Sequence, residues 1–436
     1  MNRLSTIVLL GALLSSSISF AIGSPNRDTV PTMPASHSHF TTLVDLSTGK
    51  TLWGKNSLSE RSIASTTKMM TALILLERGH LNDVIVAPPG VDKIEESSLH
   101  LVPGERISLH DLLYAMLLRS ANDTAVAGAT YLSGSLPAFA SLMNQKAIAL
   151  GCTHTHFVTP NGLYALGHYS CASDLATIAC YALKTQPLFD QIVKTQRYRV
   201  ARSVKKSDEL VINTSSTFLK TFPGADGVKT GYIHQAGHCF VGSATRGGWR
   251  LVAVALNSYS CREDVMSILN YGFHNFVRAP AIAKNTRVGT VQIPGGTEGI
   301  AVAPYTVVVP VSRWHAAPAF QCEFRPLINL PAAPVAEGTT VGTIVIYSHG
   351  SLQTGVPAVL ERSVPRKTLG SLINDTGSPN VPIWRLASWL GIVAVSTIFG
   401  VKLNAGTITK NLSERRNWLA PRVRKMDRGR ESSCRW

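Results

Sequence analysis

The chain has 436 residues, 45% of them hydrophobic, and a formal net charge of +16 at pH 7. This length allows more than one packed domain, and the hydrophobic content excludes a disordered or fibrous protein. Ten lysines and arginines lie from Lys402 onward against three acids, so much of the net charge is concentrated at one end. Because these basic residues are not interleaved with base-stacking aromatic residues, the charge does not indicate nucleic-acid binding.

The first 21 residues have the pattern of a secretory signal peptide. Arg3 provides a short basic start, Ile7–Leu14 form an apolar stretch, and Ser19–Ala21 form a small-x-small ending. The apolar stretch is too short to span a bilayer, so we predict cleavage after Ala21 and export of the mature chain. Residues 22–40 are predicted to be a solvated leader.

Residues 41–280 alternate between sheet and helix patterns. "TTLVDLSTGKTLWGKN" predicts a hairpin with Ser-Thr-Gly-Lys at its tip. A mainly helical stretch follows, including "SLHDLLYAMLLRS" and "LPAFASLMNQKAIALG". "GADGVKTGYI", "GHCFVGSATR" and "GWRLVAVALNS" then fit three consecutive antiparallel strands, and "CREDVMSILNYGFHNFV" fits a closing helix. This order predicts an α+β domain with helices packed on an antiparallel sheet, whose edge strands come from both ends of the domain.

Residues 281–366 consist of short β-branched segments separated by Gly or Pro, such as "VGTVQI" and "GTIVIYS". No long helical pattern is visible there. We therefore predict a small all-β domain, followed by a turn-rich linker over residues 367–384.

The segment after the linker, "WRLASWLGIVAVSTIFGVKL", carries no charge between Arg385 and Lys402 and is apolar on every face. We expect a transmembrane anchor over residues 385–403, with a helix lying in the membrane interface as the alternative. Its basic flank, residues 404–436, is predicted to be a cytoplasmic tail. The rest of the chain is then on the periplasmic, extracytoplasmic side of a bacterial cell membrane.

This topology also divides the cysteines. Cys434 lies in the predicted tail and should be reduced, whereas the other six lie in the predicted exported part, where disulfides can form. These six are Cys152, Cys171, Cys180, Cys239, Cys261 and Cys322. They allow fifteen pairings, and the sequence does not choose between disulfides and free buried thiols.

The stretch "SIASTTKMMTALILLE" places Ser65 three residues before Lys68 at the start of an apolar helix, so the two side chains share one face. A serine hydroxyl needs a base, and a lysine can act as one only when neutral, which burial and a second nearby cation both favour. The helix start also offers the Ser65 backbone N–H to a developing oxyanion. Ser-x-x-Lys recurs at Ser47 and Ser203, so the spacing alone does not identify a site.

Two further elements lie downstream. "LLRSANDTAV" places Ser120 and Asn122 in a break between two helical segments, where alternate side chains can enter one cavity. "GVKTGYI" puts Lys229 and Gly231 on the same side of a strand. There Lys229 can meet a carboxylate, Thr230 can add a hydroxyl hydrogen bond, and Gly231 leaves room for an extended substrate.

Together the three elements resemble those of the penicillin-recognising serine enzymes. The segments around them, including "THFVTPNGL", "HYSCASDLATIA" and "AGHCFVGSATRGGWRLVAVALNS", resemble the low-molecular-mass penicillin-binding proteins that are D-alanyl-D-alanine carboxypeptidases of peptidase family S11. The predicted all-β domain and C-terminal membrane attachment also match that architecture. Ala121, where Gly is frequent, and the long basic tail are less typical.

The resemblance implies a proton path. Ser65 would attack the carbonyl of the penultimate D-alanine of a peptidoglycan stem peptide ending in D-Ala-D-Ala, forming an acyl-enzyme that water hydrolyses. Lys68 would take the serine proton, and Ser120 would relay a proton to the departing D-alanine. Asn122 would hold both the substrate amide and Lys68.

The resemblance also implies how substrate and inhibitor bind. Lys229 and Thr230 would grip the terminal carboxylate, and the backbone N–H groups of Ser65 and Tyr232 would form the oxyanion hole. No metal or organic cofactor is implied. β-Lactams would acylate Ser65, because their lactam mimics the D-Ala-D-Ala bond.

Three other activities remain open from the sequence. A D,D-endopeptidase cutting peptidoglycan cross-links could use the same acyl-transfer site, and a catalytically idle wall-binding scaffold could retain the fold. A class A β-lactamase would need a further carboxylate to activate water. The acids between the second element, "LLRSANDTAV", and the third, "GVKTGYI", are Asp174, Asp190, Asp208, Glu209 and Asp226. None lies in a Glu-x-x-Leu-Asn-like loop, and Asp174 fits a helix start better.

Overall fold

The computed structural model describes residues 33–205, 207–314 and 318–367. The predicted signal peptide, the predicted span over residues 385–403 and the basic tail lie outside the described residues. Within the described ranges, no helix is long and apolar enough to cross a membrane.

The part of the chain up to residue 275 is mixed helix and sheet. Its strands are β1 Phe40–Asp45, β2 Thr51–Lys55, β3 Val84–Val86, β4 Arg106–Ser108, β5 Arg197–Val200, β6 Glu209–Ile212, β7 Ala225–Ile233, β8 Gly237–Arg246 and β9 Trp249–Ser258. Its α-helices are α1 Lys68–Arg78, α2 Leu109–Tyr114, α3 Asn122–Ser133, α4 Leu136–Ala149, α5 Ala172–Thr185, α6 Pro187–Lys194, α7 Ser216–Thr221 and α8 Cys261–Asn275. The predicted α+β class is confirmed.

The main sheet is antiparallel, with strand order β2-β1-β9-β8-β7. Its edges are β2 from the N-terminal hairpin and β7 from the C-terminal meander, as the sequence predicts. Alternate residues of β9 enter two separate cores. Val252, Val254 and Leu256 pack with the core that holds α1, α3 and α5, whereas Leu251, Ala253 and Ala255 pack with α8. Helices therefore cover both faces of the sheet.

Helix α1 lies in the interior. All eight residues from Lys68 to Leu75 are buried, which fits a helix that is apolar on nearly every side. Each fully buried leucine or isoleucine there contributes about 2 kcal/mol through removal of its surface from water. The burial also holds the start of the helix, and so the Ser65–Lys68 pair, in a fixed position.

The tip of the first hairpin is structural. Ser47 Oγ donates to an Asp45 carboxylate oxygen at 2.7 Å. The Lys50 amine instead donates to the Pro310 carbonyl at 3.3 Å and contacts the Gln353 side chain. This Ser-x-x-Lys sequence therefore ties the hairpin to the later β region and forms no catalytic pair.

The region after α8 is all β. Its strands are β10 Phe276–Ile282, β11 Arg287–Gln292, β12 Glu298–Val302, β13 Val307–Ser312, β14 Phe320–Pro326, β15 Thr340–Ser348 and β16 Ser351–Leu360. Five of them form a sheet in the order β11-β12-β16-β15-β14, and β10 pairs with β13. Because β10 begins at Phe276, the first strand of this region crosses the predicted division at residues 280 and 281. The domain bounds stay a prediction.

The end of the predicted leader differs from a solvated linker. Ser38 is fully buried, and its hydroxyl donates to the Leu256 carbonyl at 2.7 Å. The backbone N–H groups of His37 and Ser38 donate to the Asp264 carboxylate at 2.7 and 3.1 Å. Phe40 already belongs to β1. The carboxylate at the start of α8 thus pairs backbone groups that the apolar pattern of the sequence does not reveal.

The cysteine question is answered for the described residues. All six predicted exported cysteines carry free thiols, and four of them, Cys152, Cys171, Cys180 and Cys239, are buried. Burial raises the pKa of each of these four thiols to about 12, so they are poor nucleophiles. Cys434 lies outside the described residues.

Candidate active site

Ser65 lies in a 3-10 turn, Ala64–Thr67, that leads directly into α1. Ala64 has a φ of 49°, a left-handed conformation that is costly for a residue with a side chain. Thr66 Oγ1 donates to the Ile63 carbonyl at 2.6 Å and so fixes the turn from within. The turn holds the Ser65 hydroxyl half-buried at the edge of the core rather than pointing into it.

The Lys68 amine is fully buried and has three close oxygen neighbours. Its Nζ lies 2.7 Å from Ser65 Oγ, 2.6 Å from Asn122 Oδ1 and 2.8 Å from the Asn161 carbonyl. The Asn122 and Asn161 oxygens only accept hydrogen bonds, so they take the two N–H groups of a neutral amine and leave its lone pair for the Ser65 hydroxyl. This is the geometry of a base and its nucleophile.

The protonation of Lys68 agrees with this geometry. Burial, and then the positive charge of Lys229, hold the pKa of the Lys68 amine well below its ordinary value of 10.5. Glu96 and Asp123 act in the opposite direction with smaller effects. The amine is therefore available as a neutral base at a lower pH than an ordinary lysine.

Ser120 and Asn122 lie where the sequence predicts a helix break. A π-helical turn, Ala115–Arg119, ends at Ser120, whose φ of 65° is left-handed, and α3 begins at Asn122. Asp123, fully buried, accepts from Ser98 Oγ and from the Leu99 and Leu101 amides at 2.7 to 3.0 Å. The break is thus fixed to the preceding loop, and Ser120 is turned toward the cavity.

Lys229 reaches the same place from the edge strand β7. Its Nζ donates to Ser120 Oγ and to the Thr230 carbonyl, both at 2.8 Å. Burial lowers the pKa of this amine from 10.5 to about 7. Thr230 Oγ1 donates to Thr214 Oγ1 at 2.7 Å, so the Thr214 hydroxyl is held beside that of Thr230.

Gly231 brings the strand close to Ser65. A Cβ at this position would lie 2.9 Å from the Ser65 amide nitrogen and 3.1 Å from that of Thr66. Only glycine allows this approach without displacing the turn. Tyr232 follows and lines the cavity with its side chain half exposed. The participation of the Tyr232 amide in an oxyanion hole stays a prediction.

A cavity of about 310 Å³ opens between these elements. The predicted residues that line it are Ser65, Ser120, Thr230, Gly231 and Tyr232. Among the described lining residues, Glu96 carries the only carboxylate, and the five acids between the second and third elements are elsewhere. Asp174, for example, lies in the first turn of α5 and accepts from Thr155 Oγ1 at 2.7 Å. The structure therefore places none of those five carboxylates at the cavity.

Sequence reasoning missed three contributors to the site. The Asn161 carbonyl binds Lys68, and Gly162 beside it has a φ of 85° where a Cβ would lie 2.0 Å from the Ala64 carbonyl oxygen. The Asn-Gly pair is a turn signal that could have indicated this close approach. Thr214 and Glu96 lie in segments with no distinctive pattern, so only the fold reveals them.

The fold and this arrangement define an active-site serine enzyme of the penicillin-recognising class. The model of the family described as D-alanyl-D-alanine carboxypeptidase, Peptidase S11, matches residues 27–260, more than half of the chain. The chain belongs to this family.

Individual relatives agree. The chain is 29% identical over 379 residues to the D-alanyl-D-alanine carboxypeptidase DacF of Bacillus subtilis, covering 84% of this chain and 95% of that protein. It is 35% identical over 290 residues to the D-alanyl-D-alanine carboxypeptidase of Streptomyces strain K15, covering 62% and 97%. The structure of penicillin-binding protein 5 from Haemophilus influenzae aligns with a TM-score of 0.62 at 24% identity, over 77% of this chain and 99% of that one, which supports the fold.

Proposed function

We propose that this protein is a serine-type D-alanyl-D-alanine carboxypeptidase that removes the terminal D-alanine from peptidoglycan stem peptides through an acyl-enzyme on Ser65. The observation that carries the proposal is the buried Lys68 amine, 2.7 Å from Ser65 Oγ, with its other two neighbours both acceptors. Family membership supports the same reaction class. The chemistry requires only side chains and backbone groups of the chain itself.

Acylation begins with proton transfer from the Ser65 hydroxyl to Lys68. The hydroxyl oxygen then attacks the carbonyl of the penultimate D-alanine, and negative charge develops on the carbonyl oxygen. The Ser65 amide, which lies in the turn close to Gly231, stabilises that charge together with the Tyr232 amide. Preorganised donors cost little reorganisation as the charge forms.

Departure of D-alanine needs a proton on its amine and a site for its carboxylate. Ser120 relays the proton to the departing amine, and its hydroxyl is held 2.8 Å from Lys229 Nζ. Asn122, two residues later, contacts Lys68 and so links the same helix break to the base. Lys229 and Thr230 bind the carboxylate, since both line the edge strand along which the terminal residue lies. Water then hydrolyses the acyl-enzyme and restores Ser65. β-Lactams acylate Ser65 by the same path.

The protein is proposed to act on the extracytoplasmic side of the bacterial cell membrane. The signal-like composition of residues 1–21 supports export, and the uncharged stretch Leu386–Val401 supports a membrane anchor with a cytoplasmic basic tail. A protease-protection assay on intact cells tests the proposal: only the tail should be protected from added protease.

Release of D-alanine from a pentapeptide ending in D-Ala-D-Ala tests the reaction. The full-length chain should release it, and prior treatment with a penicillin should block the release. If only cross-linked stem-peptide dimers are cut, the D,D-endopeptidase activity replaces the carboxypeptidase. If neither substrate is cut and no penicillin is bound, the protein is a scaffold and the proposed function is wrong.

A further inference from the structure

Glu96 lies at the catalytic cavity and has no role in the reaction described above. Among the described residues that line the cavity it is the only acid, and it is exposed. No ion pair or side-chain hydrogen bond within the described ranges involves its carboxylate. The nearby charged groups are cationic: Arg262 lines the cavity, and the buried Lys68 and Lys229 contact its lining residues Ser65 and Ser120. The Glu96 carboxylate is thus available to a ligand.

The backbone holds Glu96 in place from both sides. The side-chain amide of Asn122 donates to the carbonyl of Glu95 at 2.9 Å, and its backbone N–H donates to the carbonyl of Ser97 at 2.7 Å. Ser97 Oγ also donates to the Arg119 carbonyl at 3.0 Å. These bonds fix the residues before and after Glu96 to the segment that carries Ser120 and Asn122. The position of Glu96 therefore depends on the position of these two residues.

Glu96 itself has a φ of 67°. This left-handed conformation costs little for glycine but is strained for glutamate, and strain of this kind persists where the surroundings determine the conformation. The Glu96 charge also acts on Lys68, whose pKa it raises against the larger effects of burial and of Lys229. The carboxylate is therefore close enough to influence the polar centre of the cavity.

The direction of the substrate decides what Glu96 faces. In the proposed function, Lys229 and Thr230 bind the terminal carboxylate and Ser65 attacks the penultimate residue. Asn122 then binds the amide on the other side of the scissile bond. Because Asn122 holds both neighbours of Glu96, a substrate whose amide is bound by Asn122 would extend toward Glu96 with the residue that precedes the two D-alanines.

We propose that Glu96 determines substrate specificity by pairing with a free side-chain amine on the third residue of the stem peptide, the residue before D-Ala-D-Ala. Among stem peptides with a diamino acid such as lysine at that position, Glu96 would thus favour those whose side-chain amine is free over those whose amine is blocked. This inference rests on the proposed function. An exposed ion pair is weak, so the preference should be about threefold to fivefold in KM, and salt should reduce it.

Two synthetic peptides test the inference. Nα-acetyl-L-Lys-D-Ala-D-Ala has a free ε-amine, and the Nα,Nε-diacetyl peptide differs only in blocking it. D-Alanine release by the full-length chain gives KM and kcat for each. The variants are Glu96→Gln, which removes the charge, and Glu96→Lys, which reverses it. Asp92→Asn is the matched control, because Asp92 is an exposed acid on the preceding 3-10 turn, Val91–Lys93, and does not line the cavity.

The wild-type chain and Asp92→Asn should show the lower KM for the free amine, with similar kcat for both peptides. Glu96→Gln should bring the two KM values together, and Glu96→Lys should favour the blocked peptide. Thermal melting confirms that each variant is folded. Equal KM values in the wild type, or the same preference in Glu96→Gln, would overturn the inference alone. If the wild type releases D-alanine from neither peptide, the proposed function fails and this inference fails with it.

Discussion

Lys229 Nζ and Ser120 Oγ lie 2.8 Å apart although 109 positions separate them in the chain. The contact joins the edge strand of the main sheet to the break before α3, beside the cavity that Ser120 lines. A helix start, a helix break and a strand edge thus meet at one polar centre inside an apolar core. The buried lysines at that centre have low pKa values because little water reaches them.

Substitution of Ser65 by alanine should abolish both D-alanine release and covalent labelling by penicillin. Without the hydroxyl no acyl-enzyme forms, so D-alanine release should fall by a factor of about 10⁴ or more. Covalent labelling by a fluorescent penicillin should disappear in gel electrophoresis. Ser47→Ala is the matched control, because Ser47 belongs to a Ser-x-x-Lys sequence at the hairpin tip and should leave labelling intact. Persistent label on Ser65→Ala would show that another residue is the nucleophile.

The rate of acylation should rise with pH and then level off. The reactive form has a neutral Lys68, so the rising limb follows loss of the Lys68 proton, at a pH well below 10.5. Lys229→Met removes a nearby positive charge that lowers the pKa of Lys68. The limb should therefore move to higher pH in this variant, as measured by penicillin acylation rates between pH 5 and 10. A limb at the same or lower pH would contradict the proposed coupling of the two lysines.

Gly231→Ala should slow acylation by about 10² without unfolding the protein. The new Cβ would lie 2.9 Å from the Ser65 amide nitrogen, which crowds the donor at the developing oxyanion. In Gly355→Ala, by contrast, the Cβ would meet only the Thr343 methyl group at 3.4 Å, an ordinary contact. The second-order rate of penicillin acylation compares the two. Equal rates in both variants would show that the close approach at Gly231 has no catalytic role.

Lys229→Met should also stabilise the fold, and more so at low pH. The folded pKa of Lys229 is about 7 against 10.5 for an unfolded lysine, so between these values the unfolded chain binds more protons and wild-type stability rises with pH. Methionine lacks this dependence. The stability gain over wild type should therefore be largest at pH 6 and decrease by about 4 kcal/mol toward pH 10. Urea unfolding at both pH values measures it, and a gain independent of pH would contradict the low pKa.

The sequence predicted the positions of the motif residues better than the loop groups that contact them. Ser65 and Lys68 are one helical turn apart, and the meander that carries Lys229 has a clear β pattern, so local periodicity is enough to place them. The Asn161 carbonyl and the Glu96 carboxylate come from loops whose positions depend on long-range packing. No local pattern encodes such contacts. The buried end of the leader at Ser38 was missed for the same reason, since its partner Asp264 is 226 positions away.

The Arg202 side chain is, like Lys68 and Lys229, a buried cationic side chain, and it supports the loop beside the cavity. Its guanidinium and the Glu105 carboxylate are both fully buried and paired, and it also donates to the Leu99 carbonyl at 2.8 Å. Arg202→Met would leave the buried Glu105 carboxylate without its cationic partner and with only the Val102 amide donating to it, at 3.1 Å. The unfolding free energy should therefore fall by about 3 to 5 kcal/mol.

The control for this last substitution is Arg287→Met, which breaks an exposed pair with Glu361 and should cost less than about 1 kcal/mol. Adding Glu105→Leu to Arg202→Met removes the stranded charge and should recover much of the loss, because desolvation of that carboxylate is the main cost. Urea unfolding of the three variants measures these changes in unfolding free energy. If Arg202→Met costs no more than Arg287→Met, the buried pair does not support the loop.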